Sequence, residues 1–252
     1  MQVQLSAVII TFNEEKNIER CILSAQKVAD EVIVLDSFST DKTVEICQDL
    51  KAKVYQHKWL GYSEQKNLAN GYASNEYILS LDADEALSSE LESEILKVKA
   101  NGLRGVYRFN RLTNYCGNWV RHTSWYPDAK IRIFSKKVCY WRGNIHEELS
   151  IQDQQITHIK GDLLHYSFYT RKQHLLQIEK FSSLAAADLH RQGRSIGMVN
   201  LYLKVFARFV KNYLLKLGFL DGVAVFDVSR YSAYATYLRY TKLRELNKNK
   251  LT

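Results

Sequence analysis

The chain has 252 residues, 46% hydrophobic, 12% aromatic and 25% charged, a composition that buries a core and excludes an extended disordered polymer. The net charge of +8 points to an anionic partner, but its source is local: residues 1–169 hold 20 Lys+Arg against 22 Asp+Glu, whereas residues 170–252 hold 15 against 5. The four cysteines, at 21, 47, 116 and 139, form no CxxC and accompany no His pair at ligand spacing, which argues against a zinc site or a disulfide framework and fits the reduced thiols of a cytosol.

The N-terminus reads MQVQLSAVIITFNEE, without a basic leader, and its apolar run breaks at Asn13. That is too short for a signal peptide or a membrane span, so export by this route is not expected. The next hundred residues alternate β-branched runs with amphipathic stretches: LSAVIIT, a helix to Val28, EVIVLD, a helix near 40–50, AKVYQHK, a short helix, and YILSLD. This βαβαβαβ order predicts an open, doubly wound α/β sheet. Successive apolar residues such as Val8, Ile9, Ile10 and Ile33, Val34, Leu35 suit parallel strands covered on both faces. A helix over about 89–99 is predicted with a capping box from Ser89 and Glu92. GVYRFNRL and KIRIFSK read as further strands, with the lone proline, Pro127, in the loop between them. From about residue 170 the pattern is helical. The expected division is a catalytic domain over 1–169 and a basic helical extension over 170–252.

Ligands of an open α/β sheet bind outside the carboxyl ends of its strands. Those positions are strongly polar here: Thr11, Asn13 and Glu14 after the first strand, Asp36 and Ser37 after the second, Asp82, Asp84 and Glu85 after the fourth. Two carboxylates flanking a small residue, as in Asp82-Ala83-Asp84, can approach a hard divalent cation that also grips a diphosphate, although such a triplet also caps helices. Asp36 is placed to accept hydrogen bonds from a base or a ribose, while Ser39 or Thr40 is expected to cap the next helix. No GxGxxG follows the first strand, which disfavours a dinucleotide cofactor.

TFNEE, VLDSFSTDKT, GYSEQKNLA and LSLDADE resemble the family 2 glycosyltransferases in order and spacing. WYPDAKIRIF, WRGNIHEEL, GDLLHYSF and GFLDGVAVF extend the likeness towards the lipopolysaccharide-core β-1,4-glucosyltransferase subfamily, so that nearly the whole chain is covered. The resemblance implies the GT-A fold, a Rossmann-like nucleotide-diphospho-sugar transferase sheet, here with a C-terminal helical extension. It implies that Thr11, Asn13, Glu14, Asp36 and Ser37 hold the nucleoside, that Lys66 lies near the donor, and that Asp82 and Asp84 are the donor and metal carboxylates. Mg2+ or Mn2+, a UDP-sugar donor, inversion at the anomeric carbon, and transfer of glucose to a lipopolysaccharide inner-core or other lipid-linked saccharide follow from the same likeness.

Inversion by direct displacement needs a base on the face opposite the leaving nucleotide. His146, Glu147 and Glu148 are the candidates. Family members carry a Glu-Asp pair for this task and this chain has His-Glu-Glu, so Glu147 is assigned by analogy of role, with Asp128 as the alternative. His165 is a candidate third metal ligand, the competing reading being a hydrogen-bonded core histidine.

In VNLYLKVFARFVKNYLLKL, Lys204, Arg208 and Lys211 fall on one face of an otherwise apolar helix. Three embedded cations argue against a span, and the pattern suits a helix lying on an anionic membrane, or a core helix with a solvated stripe. The expected location is therefore cytoplasmic, peripheral on the inner face of the membrane. A sugar-nucleotide nucleotidyltransferase should carry a Gly-rich loop where this chain has Phe12-Asn13-Glu14-Glu15. A non-catalytic membrane or nucleic-acid binder would leave the DAD cluster unexplained, and no nucleic-acid motif supports such a partner.

Overall fold

The computed structural model describes residues 3–143 and 147–248. The chain forms two compact units, Met1–Arg111 with Asp128–Tyr166, and Leu112–Pro127 with Ser167–Thr252. A linear cut at residue 169 assigns Leu112–Pro127 to the α/β part, whereas packing groups that excursion with the helices. The reason is visible in its bonds: Asp221 accepts from the backbone N–H groups of Arg121 and His122 at 2.8 and 2.7 Å, and Ser124 donates to Asn212 at 2.7 Å.

The first unit opens with β1 (Leu5–Thr11), α1 (Ile18–Gln26), β2 (Glu31–Asp36), α2 (Thr43–Asp49), β3 (Lys53–Gln56), α3 (Tyr62–Gly71) and β4 (Tyr77–Asp82). It continues through β5 (Glu85–Leu87), α4 (Ser89–Ala100) and β6 (Val106–Tyr115), whose last residues enter the second unit with β7 (Asn118–Val120). The chain returns with β8 (Ala129–Ser135), β9 (Tyr140–Arg142), β10 (Glu148–Ser150) and β11 (Ile156–Phe168). The sheet order is β3-β2-β1-β4-β8-β6-β11-β5, with β7 beside β6. Strands β1 to β4 are mutually parallel, and β8 joins β4 antiparallel.

Burial explains the unbroken apolar runs. On β1, Leu5, Ala7 and Ile9 pack with Ile18, Cys21 and Ile22 of α1 and Leu91 and Ile95 of α4, while Val8 and Ile10 face Ala69 of α3, Phe134 and Trp141. Each fully buried Leu or Ile contributes about 1.5–3 kcal/mol by leaving water, so the double cover is what holds the parallel strands in register. Gly161 of β11 is required by close approach. Its φ is +89°, and a Cβ there would lie 2.5 Å from the backbone nitrogen of Leu91.

Two expected caps differ. The N-cap of α4 is Ser88, not Ser89; its extended backbone lets the hydroxyl accept from Leu91 N–H at 3.2 Å, and Glu92 instead pairs with Lys27 at 3.0 Å. Neither Ser39 nor Thr40 caps α2, whose N-cap is Lys42, because the Ser39 hydroxyl is drawn to Asp36.

The second unit is built on α5 (Arg171–Arg191), α6 (Met198–Val210), a π-helical turn (Lys211–Leu215), a 3-10 turn (Gly218–Asp221) and α7 (Val223–Lys248). Thr170 and Gln173 form a true capping box at the start of α5. Its core holds Tyr115, Val120, Phe168, Val225 and Val228. The His174 ring sits 4.5–5.5 Å from the rings of Phe168, Tyr115, Tyr231 and Trp125. Among the described residues no helix is long and apolar enough to cross a membrane.

Candidate active site

Parallel pairing brings the polar strand ends together. Thr11 lies opposite Asp36 in the β1–β2 ladder, and Ile10 opposite Asp82 in the β1–β4 ladder, so three loops leave the sheet at one rim.

At the first two loops the predicted residues are tied to one another. Asp36, fully buried, accepts from the backbone and hydroxyl of Ser39 and from Gln56 Nε2 at 2.9 Å. Asn13 adopts φ +54°, which an Asn tolerates, donates its N–H to Ser39 Oγ at 2.8 Å and accepts from Thr40 N–H at 2.8 Å. Ser37 accepts from Gln65 Nε2 at 3.2 Å. The Thr11 hydroxyl is buried and has no hydrogen-bond partner among the described residues. Glu14 donates its N–H to Thr43 Oγ1 at 2.8 Å and accepts from Asn17 at 2.8 Å. Burial, with the Asp84 and Asp41 charges in support, lifts its carboxyl above the usual range.

The fourth strand carries a chain of alternating charges. Glu147 Oε1 lies 3.3 Å from Lys66 Nζ, which lies 3.0 Å from Asp82 Oδ1. Asp82 Oδ2 meets Arg132 Nη2 at 2.9 Å, and the same nitrogen meets Glu85 Oε1 at 2.5 Å. Glu85 approaches Arg111 at 3.5 Å, Arg111 binds Asp128 Oδ2 at 2.8 Å, and Lys130 holds Asp128 Oδ1 at 3.0 Å. Burial alone would raise the Asp82 carboxyl, but Lys66 and Arg132 together hold it far below the ordinary carboxylate range. Asp128 is likewise held low against burial by Arg111 and Lys130. Lys66 is buried with its ammonium 4.7 Å from the centre of the Trp141 ring, a second source of stabilisation for a charge taken out of water.

Asp84 stands apart from this network. Its Oδ2 faces His165 Nε2 at 3.1 Å, across from β5, where His165 pairs with Glu85 in the β11–β5 ladder. No cluster of three or more His, Cys, Asp or Glu side chains arranged to hold a metal occurs among the described residues. A carboxylate and an imidazole at hydrogen-bond distance suit a divalent ion that fills its remaining positions from water and a diphosphate. His146 lies outside the described residues.

Sequence reasoning placed Glu85 at the rim but not its pairing with Arg132, and it missed Arg111, Arg132, Lys130, Gln56 and Tyr62. The Tyr62 phenol is raised by burial and then by the charges of Glu147, Asp82 and Asp84. A signal existed for Arg132, a cation set between Ile131 and Ile133 in the strand sequence KIRIF. A cleft of about 570 Å3 lined by Arg20, Lys27, Ser88, Glu92 and Tyr166 contains none of the predicted catalytic, donor or metal residues.

The family model described as glycosyl transferase family 2 matches residues 6–172. An uncharacterized glycosyltransferase of Rickettsia typhi is 34% identical over 97% of this chain and 88% of its own. A Rhizobium meliloti protein described as the lipopolysaccharide core biosynthesis glycosyltransferase LpsC is 25% identical over 88% of this chain and 83% of its own. Among solved structures, residues 1–349 of S. aureus TarS align with 99% of this chain and 91% of that chain at 15% identity and a TM-score of 0.49.

Proposed function

The chain belongs to glycosyl transferase family 2, with the GT-A fold, and from that premise we propose that it transfers glucose from UDP-glucose, with inversion, to a lipopolysaccharide inner-core or other lipid-linked saccharide at an anionic, cytoplasmic membrane face. The observation that carries this reading is the convergence of Asp36, Asp82 and Asp84 at one rim, with Asp82 neutralised by Lys66 and Arg132 while Asp84 Oδ2 faces the His165 imidazole.

That division assigns different tasks to the two carboxylates of the DAD triplet. Both oxygens of Asp82 are already engaged by cations, so it serves as an oriented acceptor for donor hydroxyls, held ionised at any working pH. Asp84 and His165 are the side chains that would hold Mg2+ or Mn2+, and such an ion supplies charge neutralisation to the departing diphosphate. Thr11, Asn13, Glu14, Asp36 and Ser37 enclose the nucleoside side. The Thr11 hydroxyl, buried and unmatched among the described residues, lies at the end of β1 on this side. Lys66, held near the diphosphate side by Asp82 and Glu147, adds a fixed positive charge that favours departure of the nucleotide.

For the acceptor proton, Glu147 is favoured over Asp128. Asp128 has a cation on each oxygen, and its lowered proton affinity makes it a poor base. Glu147 is half-buried and engages Lys66 through a single oxygen at 3.3 Å. The test is calorimetric titration with UDP, with Mn2+ and with excess EDTA, of wild type and Asp84→Ala. Binding that needs the ion in wild type and is lost in Asp84→Ala supports the division. Ion-independent binding, unchanged in the variant, contradicts it.

A further inference from the structure

The second unit carries an apolar surface that its own packing leaves uncovered. Of the seven large apolar side chains more than 55% exposed among the described residues, six are Val199, Leu203, Phe206, Leu215, Leu220 and Val223. They come from α6, the two turns that follow it and the first residue of α7. On α6, Leu201 is buried and Val205 half-buried, so Val199, Leu203 and Phe206, spaced by four and three, form the opposite, outward face. The expectation of a basic stripe is sharpened by this placement. Lys204 and Lys211 are exposed beside the apolar ridge, Lys216 is exposed in the turn beyond it, and Arg208 is half-buried towards the inner face.

We propose that this ridge, Val199–Val223, inserts into the interfacial layer of an anionic bilayer, with Lys204, Lys211 and Lys216 seated among the headgroup phosphates. The inference deepens the membrane part of the proposed function and leaves the transfer chemistry untouched. Charge decides between a bilayer and a second copy of the chain. From Leu189 to Leu220 there are six Lys or Arg and no Asp or Glu. A two-fold interface through this ridge would set those cations against their own copies, with no acid to offset them. Asp221, at the edge, is committed to the His122 ring at 2.6 Å and to two backbone N–H groups. An anionic bilayer answers both features at once, taking apolar side chains into the acyl boundary and cations into the headgroups. The ridge rather than the stripe supplies the depth of insertion, because cations alone hold a protein above the surface and release it in salt.

The experiment is co-sedimentation of the full chain with vesicles of phosphatidylcholine containing about 30 mol% phosphatidylglycerol, and with pure phosphatidylcholine, at low and high salt. Wild type is expected to bind the anionic vesicles and to retain part of that binding at high salt. Leu203→Ser with Phe206→Ser should lower partition by about ten-fold or more, whereas Lys204→Glu with Lys211→Glu and Lys216→Glu should abolish the preference for anionic lipid. All the substituted side chains are exposed, and circular dichroism checks folding. Wild type that sediments with neither vesicle overturns the proposal by itself, as does equal binding by wild type and the Ser pair. A wild-type dimer that the Ser pair makes monomeric, without vesicle binding, assigns the ridge to self-association and also overturns it. UDP affinity of each variant, read in solution, separates these outcomes from a failure of the transferase reading.

Discussion

Replacing Arg132 with Met removes the cation that joins Asp82 to the fully buried Glu85 while keeping an unbranched stem. The Arg132 guanidinium is 4% exposed and lies between Asp82 at 2.9 Å and Glu85 at 2.5 Å. After the change, fully buried Glu85 retains the Asp82 backbone N–H at 3.0 Å and a marginal approach to Arg111 at 3.5 Å. Stranding a buried charge in this way costs about 3–5 kcal/mol. For a chain of this size that corresponds to a fall in Tm of about 6–20 °C, read by differential scanning calorimetry. Adding Glu85→Gln should restore part of the loss, because the stranded charge is then gone, and the two effects should be strongly non-additive. Arg132→Lys should fall between, since the ammonium keeps the positive charge but ends on a shorter stem than the Nη2 that meets both carboxylates. A fall in Tm below about 2 °C for Arg132→Met, or a double variant no more stable than the single one, would refute the argument that this network is a buried, mutually dependent set.

Glu147→Gln should leave UDP binding near wild type and lower kcat by roughly 10²-fold, whereas Asp128→Asn should act mainly on stability; the reverse pattern in steady-state kinetics moves the base to Asp128. Asp36→Ala is expected to raise the donor KM far more than it changes acceptor affinity, since it frees Ser39 and Gln56 from the loop proposed to enclose the nucleoside, and an unchanged donor titration would reduce Asp36 to a loop residue. Stability should also depend on pH through His174, whose buried ring among four aromatic side chains is pushed down to about 4. The unfolded chain takes up a proton near pH 6.5 and the folded chain near 4, so this contribution is complete above about 6.5 and is lost as pH falls towards 4, at a cost of about 3 kcal/mol. Chemical denaturation at pH 7 and pH 4.5 checks it, and His174→Phe should flatten that difference.

Much of the fold was legible because its signals are local. Runs such as Val8-Ile9-Ile10 have one structural solution, a strand covered on both faces, and the polar residues after β1, β2 and β4 then fall at one rim by the geometry of parallel pairing. The site was legible for the residues next to those strand ends. Arg111 and Arg132 were not, because their partners lie 17 to 50 positions away in sequence and only the antiparallel strands β6 and β8 bring them together. The grouping of Leu112–Pro127 with the helices was invisible for the same reason, resting on bonds to Asn212 and Asp221 that span about a hundred residues. Ser88 was missed in favour of Ser89 because two adjacent serines satisfy the same pattern, and only backbone dihedrals distinguish which one lies outside the helix.

Acceptor-dependent release of UDP is the direct measurement of the central claim. The purified chain is offered a panel of UDP-sugars with Mn2+ or Mg2+ and a soluble inner-core oligosaccharide, and the product is read by NMR at the anomeric carbon. The account predicts release with UDP-glucose that requires both the acceptor and the ion, yields the inverted β-linked product, and disappears in Asp84→Ala. Absence of acceptor-dependent release with every donor, or an α-linked product, would contradict it.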